Sequence, residues 1–375
     1  MREQREKKKK VYALMSGGVD SSVAAALLKS RGYDVTGAHL ICWDENEPGC
    51  TGSQDRTDAE RAAVALNIPL EVWDLRKEYR TQVFEYMVDG YRQGVTPNPD
   101  VMCNKKIKFG VAMERALAEG ADYVATGHYV KIQNLIRQLA DKNQNDRLKF
   151  KNVYELLQAK DKNKDQSYFL WTLTQEQLAR AIFPIGDYLK SEVREIARKF
   201  ELPNAEKKDS QGLCFVGKVA FQDFLSRYLP EKPGEVVTAD GEVVGRHKGV
   251  HYYTIGQRRG IGVRGGTAPY YVAAKDAAAN MLLVEERPEL RIVRGVEITQ
   301  ATSPVLSEGE EADVKTRTRY RQKTVPARIK MRGGGVAEVV FKEPVQAVAA
   351  GQSLVAYGKK GEVVAGGIIR EVFNK

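Results

Sequence analysis

The run Ser16-Gly17-Gly18-Val19-Asp20-Ser21-Ser22 gathers the groups that hold a polyphosphate: paired glycines, hydroxyls and a carboxylate. It follows the short apolar run Val11 to Met15 and opens the apolar-periodic stretch Val23 to Leu28, a pattern that predicts strand, tight turn and helix N-terminus. Such a turn aims several backbone N–H groups at one point, where the helix dipole is also positive. Glycines let the main chain close on an anion with no Cβ in the way. Asp20 and the serines can cap the helix or serve the ligand. No lysine ends the loop, as it would in a Walker A sequence.

Two more segments carry reactive groups. Thr96-Pro97-Asn98-Pro99-Asp100-Val101-Met102-Cys103-Asn104 has two prolines that stiffen a predicted loop and mount Asp100 and Cys103 on it. Lys105, Lys106 and Lys108 follow, and nearby cations favour a thiolate. Lys208 to Gly217 places Cys214 between glycines in a second predicted loop. Each segment also has a plainer reading: a capped helix, a stiff turn over a buried cysteine, a cysteine packed beside Leu213 and Phe215. A phosphate-binding loop together with two candidate thiols points instead to sulfur transfer.

The elements that must position these residues follow from patterning. Val11–Met15, Asp34–Ile41, Leu70–Trp73 and Tyr123–Thr126 read as short buried strands, with helices such as Asp58–Leu66 and Ile107–Glu119 between them. That alternation predicts an α/β, doubly wound, mainly parallel sheet, whose ligands lie beyond the C-terminal strand ends. Residues 132–164 are polar and predict a surface insertion over about 133–164, a hairpin or a short helix. Helical patterning resumes over Thr174–Phe183 and Leu189–Phe200. After Pro230 to Gly234 strands and turns dominate, ending in a small antiparallel barrel or sandwich. The expected division is an extension over 1–10, a catalytic domain over 11–228, a small β-rich domain over 229–293 and a C-terminal β-barrel over 294–375.

The 375 residues carry a formal net charge of +10, which suits a polyanionic partner such as nucleic acid. Cys42, Cys50, Cys103 and Cys214 lack zinc-site spacing, and separated thiols suit a reducing cytosol. No apolar run reaches the roughly 18–20 residues of a membrane span. Met1 to Lys10 has mixed charge and no apolar core, which excludes a secretory signal and argues against a mitochondrial presequence.

The glycine-rich loop resembles the PP-loop of the ATP pyrophosphatases, enzymes that split ATP into AMP and pyrophosphate to activate a carbonyl oxygen. The chain as a whole resembles the tRNA-specific 2-thiouridylases. The resemblance rests on SGGVDSS, TPNPDxxCNxxIKF, ATGHY, NKDQSYFLW, DSQGLCF, the run from Tyr253 to Gly262, and TRYRQ from Thr318 to Gln322. It implies an ATP site lined by Leu14, Met15, Ser16, Gly17, Gly18, Val19, Asp20 and Ser21, with Leu40 and Gly127 against the nucleotide and Mg²⁺ reached through Asp20. Leu14 and Leu40 depart from the usual pattern, where a small residue and a methionine are more common. The resemblance further implies a persulfide on Cys214, with Cys103 as its partner. Cys103 would either release sulfide or form a disulfide with Cys214. Asp100 would act as base or orient the uracil, and Asn98, Pro99 and Asp100 would contact the target base.

The implied substrate is a tRNA with a wobble uridine at position 34, and the sulfur comes from a relay protein or a cysteine desulfurase. Contacts to tRNA are implied for His128, for Lys164, Asp165 and Gln166, and for Arg319, Tyr320 and Gln352. Lys315, Arg317, Arg319, Arg321 and Lys323 alternate along the chain, and on a strand they would line one face as a phosphate track. The expected protein is a cytoplasmic monomer. Three readings compete with thiolation by persulfide: an iron–sulfur cluster on Cys103, Cys214 and a third ligand; an amide- or guanidine-forming ligase, which needs no cysteine; and a tRNA-binding module that forms no AMP.

Overall fold

The computed structural model describes residues 8–44, 51–138, 150–209, 221–263, 269–286 and 292–373. Cys50 and the segment carrying Cys214 lie outside the described residues. Two compact units emerge. The first comprises Met1–Arg80, Asp100–Gly217 and Lys360–Val363, and the second Thr81–Pro99, Lys218–Lys359 and Val364–Lys375. These units do not follow chain order, because Phe84 packs edge-on against Phe224 and Tyr228 and so enters the second unit.

The first unit holds a five-stranded sheet of β1 (Lys10–Leu14), β2 (Asp34–Ile41), β3 (Leu70–Asp74), β4 (Tyr123–Ala125) and β7 (Ala181–Ile182), in the order β3-β2-β1-β4-β7. Every pair is parallel. The strand order reverses at β1, so β1 and β4 diverge to opposite sides and leave a crevice at their C-terminal ends. Helix α1 (Val19–Ser30) buries Val23 to Leu28 against this sheet, continuing the core through Val11, Ala13 and Val35. Helix α2 (Gly52–Ala65) adds Ala59, Ala62 and Ala63. Strands β5 (Val130–Gln138) and β6 (Phe150–Gln158) form a two-stranded antiparallel hairpin, the first of the two shapes the sequence allowed for the polar insertion.

The second unit contains a four-stranded sheet of β8 (Gly234–Val237), β9 (Val243–His247), β10 (Tyr271–Asp276) and β11 (Met281–Glu285). It also contains a closed barrel of β12 (Ile292–Thr302), β13 (Glu311–Arg317), β14 (Val325–Gly333), β15 (Val336–Gln346), β16 (Ser353–Tyr357) and β17 (Val363–Phe373). Its recorded pairings are antiparallel, and Val296, Ile298, Ile329, Val339, Leu354 and Ile369 fill its interior. The expected choice between barrel and sandwich resolves to a barrel. Among the described residues no helix is long and apolar enough to cross a membrane.

Three local expectations change. The stiff loop ends at Asn98, and Pro99–Met102 is already helical. Proline is tolerated in a first helical turn, where its missing N–H would have no partner anyway. Asp100 and Cys103 therefore ride on helix, and Cys103–Val111 winds as π-helix up to a kink at Gly110 (φ −99°, ψ −106°). The alternating basic track also breaks. Strand β13 stops at Arg317, and Gln322 Oε1 accepts the N–H groups of Thr318 and Arg319 in a turn. Arg319, Tyr320, Arg321 and Lys323 thus lie beyond the strand. The helix expected over Thr174–Phe183 stops at Arg180, because Ala181 and Ile182 pair with β4 as β7.

Candidate active site

The glycine-rich turn sits where the sheet reverses. Leu14 ends β1, and Met15 continues it by donating its N–H to Ala38 O at 2.8 Å. Gly17 takes the left-handed conformation at φ +74°, and Gly18 is extended and begins α1. Ser16 N–H reaches Ser21 Oγ at 3.2 Å, while the hydroxyls of Ser21 and Ser22 both donate to Gly18 O, at 3.0 and 3.1 Å. These bonds fold the serines back onto the loop. The first-turn N–H groups of α1 are left pointing out of the helix end without intrahelical partners, as at any helix start.

Gly127 closes the other side of the crevice, just past β4. A Cβ there would stand 2.6 Å from both Asp20 C and Ser21 N, so the β4 turn packs directly on the first turn of α1. Leu40 is half-buried near the end of β2. Leu14, Met15, Ser16, Gly17, Gly18, Val19, Asp20, Ser21, Leu40 and Gly127 therefore all belong to one end of one sheet.

Asp20 lies at the centre of a charged cluster that the sequence did not show. Its Oδ1 accepts from Tyr129 OH at 2.8 Å and pairs with Lys190 Nζ at 2.7 Å. Lys190 also pairs with Asp209 Oδ1 at 2.7 Å, and Lys164 Nζ reaches Asp209 Oδ2 at 2.5 Å. Burial raises the pKa of the Tyr129 hydroxyl and the neighbouring Asp20 carboxylate raises it further, so this phenol stays a donor. Burial also pushes Asp209 up, but the hydrogen bonds and charges of Lys164 and Lys190 outweigh it and hold its pKa at about 2. Tyr129 and Asp209 lie inside the quoted motifs ATGHY and DSQGLCF. Lys190 begins the Lys190–Lys199 helix and carried no motif.

The depressed Asp209 pKa has a measurable sign. A folded pKa below the usual carboxylate value stabilises the native state above that usual value, and the gain disappears as pH falls through the folded pKa. The melting temperature of the wild type is expected to fall between about pH 4 and about pH 2. In Asp209→Asn this component of the fall should be absent, and an equal acid-side slope in both proteins would refute the assignment.

Asp100 and Cys103 belong to the first unit, three residues apart on the helix that starts at Pro99. Asp100 is half-exposed by area, yet enough protein surrounds it that burial raises its carboxyl pKa, with Lys108 pulling the other way. Cys103 is half-buried. Asn104 is buried, with Nδ2 3.4 Å from Phe169 O and no partner for its Oδ1. Burial lowers the pKa of Lys105, and the charge of Lys106 lowers it further.

The residues expected at tRNA fall into two groups. In the first unit, Gln166 holds the Tyr129 backbone through its N–H and its Oε1, at 3.0 and 2.9 Å. Asp165 is 2% exposed and accepts from Ala159 N and from Ser167 N and Oγ. His128 is buried beside Phe109 and Phe183, bonded to Thr126 Oγ1 at 2.7 Å, and burial with the nearby Lys108 charge keeps it neutral. In the second unit, Gln352 Nε2 donates to Thr96 O at 2.9 Å and Pro97 O at 3.3 Å, so Gln352 stands against the chain that leads into Asn98 and Pro99. Arg319 Nη2 donates to Ile255 O, which anchors it to the run from Tyr253 to Gly262.

A parallel sheet reversing at β1, a Gly-Gly turn that starts a helix without a lysine of its own, and Asp20 within that turn define a PP-loop nucleotide-binding protein. Comparison with known proteins narrows the class. Residues 9–218 match a family model described as a tRNA methyl transferase HUP domain, residues 222–286 a tRNA methyl transferase PRC-barrel domain, and residues 294–369 an aminomethyltransferase beta-barrel domain. A tRNA-specific 2-thiouridylase of Bacillus subtilis (strain 168) is 44% identical over 99% of this chain and 98% of its own length. One from Listeria monocytogenes serovar 1/2a is 44% identical over 96% of this chain and 93% of its own. A solved 4-thiouridine synthetase in complex with RNA and ATP matches at 18% identity and a TM-score of 0.37, covering 59% of this chain and 50% of its own. The methyltransferase wording of the family models and the thiouridylase names of the relatives disagree. The relatives decide, because they match over nearly the full length. The chain belongs to the tRNA-specific 2-thiouridylase family.

Proposed function

We propose that this protein is an ATP-dependent tRNA-uridine 2-sulfurtransferase that converts the wobble uridine (position 34) of tRNA into 2-thiouridine. The observation that carries the reading is the Ser16–Ser22 turn: it is built for a polyphosphate, and it belongs to a chain that matches the family from end to end. A uracil carbonyl oxygen is a poor leaving group. Uridine O2 therefore attacks the α-phosphorus of ATP and pyrophosphate departs, leaving O2 as an adenylate. The first-turn N–H groups of α1 hold the pyrophosphate.

Mg²⁺ fits this site in one way only. Among the described residues no cluster of three or more His, Cys, Asp and Glu could hold a metal, but Asp20 Oδ2 has no hydrogen-bond partner among them. One carboxylate oxygen with phosphate oxygens is an ordinary Mg²⁺ environment. The metal would neutralise charge on the departing pyrophosphate.

Sulfur enters from a persulfide on Cys214. In one route its terminal sulfur attacks C2, AMP leaves with the former O2, and the Cys103 thiolate then cleaves the S–S bond. In the other, Cys103 attacks first and the released sulfide attacks C2. Both end in a Cys103–Cys214 disulfide, and a two-electron thiol reductant must reset the pair. Asp100 acts as the base or orients the uracil, and Asn98, Pro99 and Asp100 contact the target base. His128, Lys164, Asp165, Gln166, Arg319, Tyr320 and Gln352 contact or support the tRNA. The donor is a sulfur-relay protein or a cysteine desulfurase, and the enzyme works in the cytoplasm as a monomer.

The test is direct. Wild-type protein with ATP, Mg²⁺, a persulfide donor and unmodified tRNA should yield 2-thiouridine by nucleoside mass spectrometry, together with AMP. Cys214→Ala and Cys103→Ala should each lose thiolation by at least about 1,000-fold while still releasing pyrophosphate in a single turnover, because adenylation precedes the sulfur step. A ligase would keep its activity in both variants, and a tRNA-binding module would form no AMP even in the wild type.

A further inference from the structure

We infer that Asn204 and Lys207 are positioning residues of the ATP site: together they hold the Gly17 carbonyl from behind the loop, so that the Gly17–Gly18 peptide presents its N–H to the pyrophosphate. The inference rests on the ATP reading above. It concerns residues that no motif singled out for that role.

The geometry is specific. Asn204 Nδ2 donates to Gly17 O and to Ser22 Oγ, both at 3.0 Å. Lys207 Nζ reaches the same carbonyl at 3.3 Å and is itself fixed by Asp55 Oδ1 at 2.6 Å and Asp58 Oδ2 at 2.7 Å. Both carboxylates belong to α2, and the Asp55 backbone already touches Gly17, where a Cβ would stand 2.0 Å from its carbonyl oxygen. One peptide of the loop is thus pinned between α2 and the 204–207 segment.

A trans peptide carries its C=O and N–H on opposite sides. Fixing Gly17 O toward Asn204 and Lys207 therefore turns Gly18 N–H away from them, to the side on which the α1 first turn is open. Gly17 needs such a constraint, because glycine pays more backbone entropy than any other residue to hold one conformation. A loop ordered in advance spends less of the ligand's binding energy on its own ordering.

Asn204 shows that the donors matter. It is 5% exposed, and its Oδ1 is buried without a partner. An orphaned buried carbonyl costs stability, and an apolar residue of similar size would avoid that cost. The side chain cannot be turned over, since Oδ1 would then face Gly17 O. The asparagine fits the site only as a double donor to the loop.

The experiment compares affinities for ATP and for AMP. AMP lacks the pyrophosphate that the pinned peptide serves, so a positioning role predicts selective damage that a loss of fold does not. Asn204→Ala, a neutral exchange, should weaken ATP by about 10-fold or more and leave AMP within about twofold. Lys207→Met should do the same, and Lys207→Arg should recover most of the loss by keeping the pairs to Asp55 and Asp58. Melting curves identify any unfolded variant, and the remaining variants then decide. Equal weakening of ATP and AMP, or ATP binding unchanged in the folded variants, overturns the inference. A wild type that binds no ATP would instead refute the reading of the site itself.

Discussion

Gly17→Ala is expected to abolish ATP-dependent AMP formation, by at least about 100-fold, with tRNA and Mg²⁺ saturating. Two effects combine. The backbone at Gly17 has φ +74°, where an L-residue loses on the order of 1–2 kcal/mol. The larger effect is contact: the new Cβ would stand 2.0 Å from Asp55 O and 2.8 Å from Asp55 C. Those atoms are backbone in the first turns of α2 and cannot swing aside as a side chain would. Either α2 retreats, which breaks the Lys207 pairs to Asp55 and Asp58, or the loop rotates and carries its N–H groups off the pyrophosphate. Gly32→Ala is the matched control. Gly32 has φ +87°, and nothing lies within 4 Å of the Cβ it lacks. It should lose about 1 kcal/mol of stability and keep its rate. AMP formation in Gly17→Ala within about threefold of wild type would show that the loop does not hold the pyrophosphate.

That contrast marks what is legible in the sequence. The Gly-Gly turn, its strand and its helix are local, and local rules reach them: apolar run, turn residues, apolar period. The same rules place β1, β2, β3 and β4 almost to the residue and so put Gly127 at the right strand end. They misplace Asp100 and Cys103 because Pro99 has two meanings. Inside a helix it breaks the ladder, but in the first turn it starts one, and only the partners of the following residues decide. They lengthen the basic track for a similar reason. Alternation from Lys315 to Lys323 has the period of a strand, yet Gln322 turns back on Thr318 and Arg319 and ends the strand at Arg317. What the sequence hides is which residues gather around Asp20 and Gly17. Lys190 lies 170 residues from Asp20 along the chain, and Lys207 lies 190 from Gly17. No spacing rule joins residues so far apart. The loop lacks a terminal lysine, and the fold brings two lysines to it from elsewhere in the chain.

Asp100→Asn should remove the acid limb of the pH–rate profile and lower the plateau by about 10²–10⁴-fold. When uridine O2 attacks ATP, the N3 proton must leave, and a carboxylate takes it only when ionised. The rate should therefore fall as pH drops through the Asp100 pKa. Burial sets that pKa above the ordinary carboxylate value and Lys108 opposes the rise, so the limb should lie above about pH 4. The sign of the Lys108 contribution gives the sharper test. Removing a cation that favours the carboxylate leaves burial less opposed, so Lys108→Met should move the acid limb to higher pH while the alkaline side stays in place. Single-turnover pyrophosphate release isolates the step, since it precedes any chemistry at Cys103 or Cys214. A limb that moves to lower pH in Lys108→Met, or one that persists in Asp100→Asn, would assign the proton to another group. Asp100 would then be left with orienting the uracil, and the rate of the Asp100→Asn protein would be limited by base placement rather than by protonation.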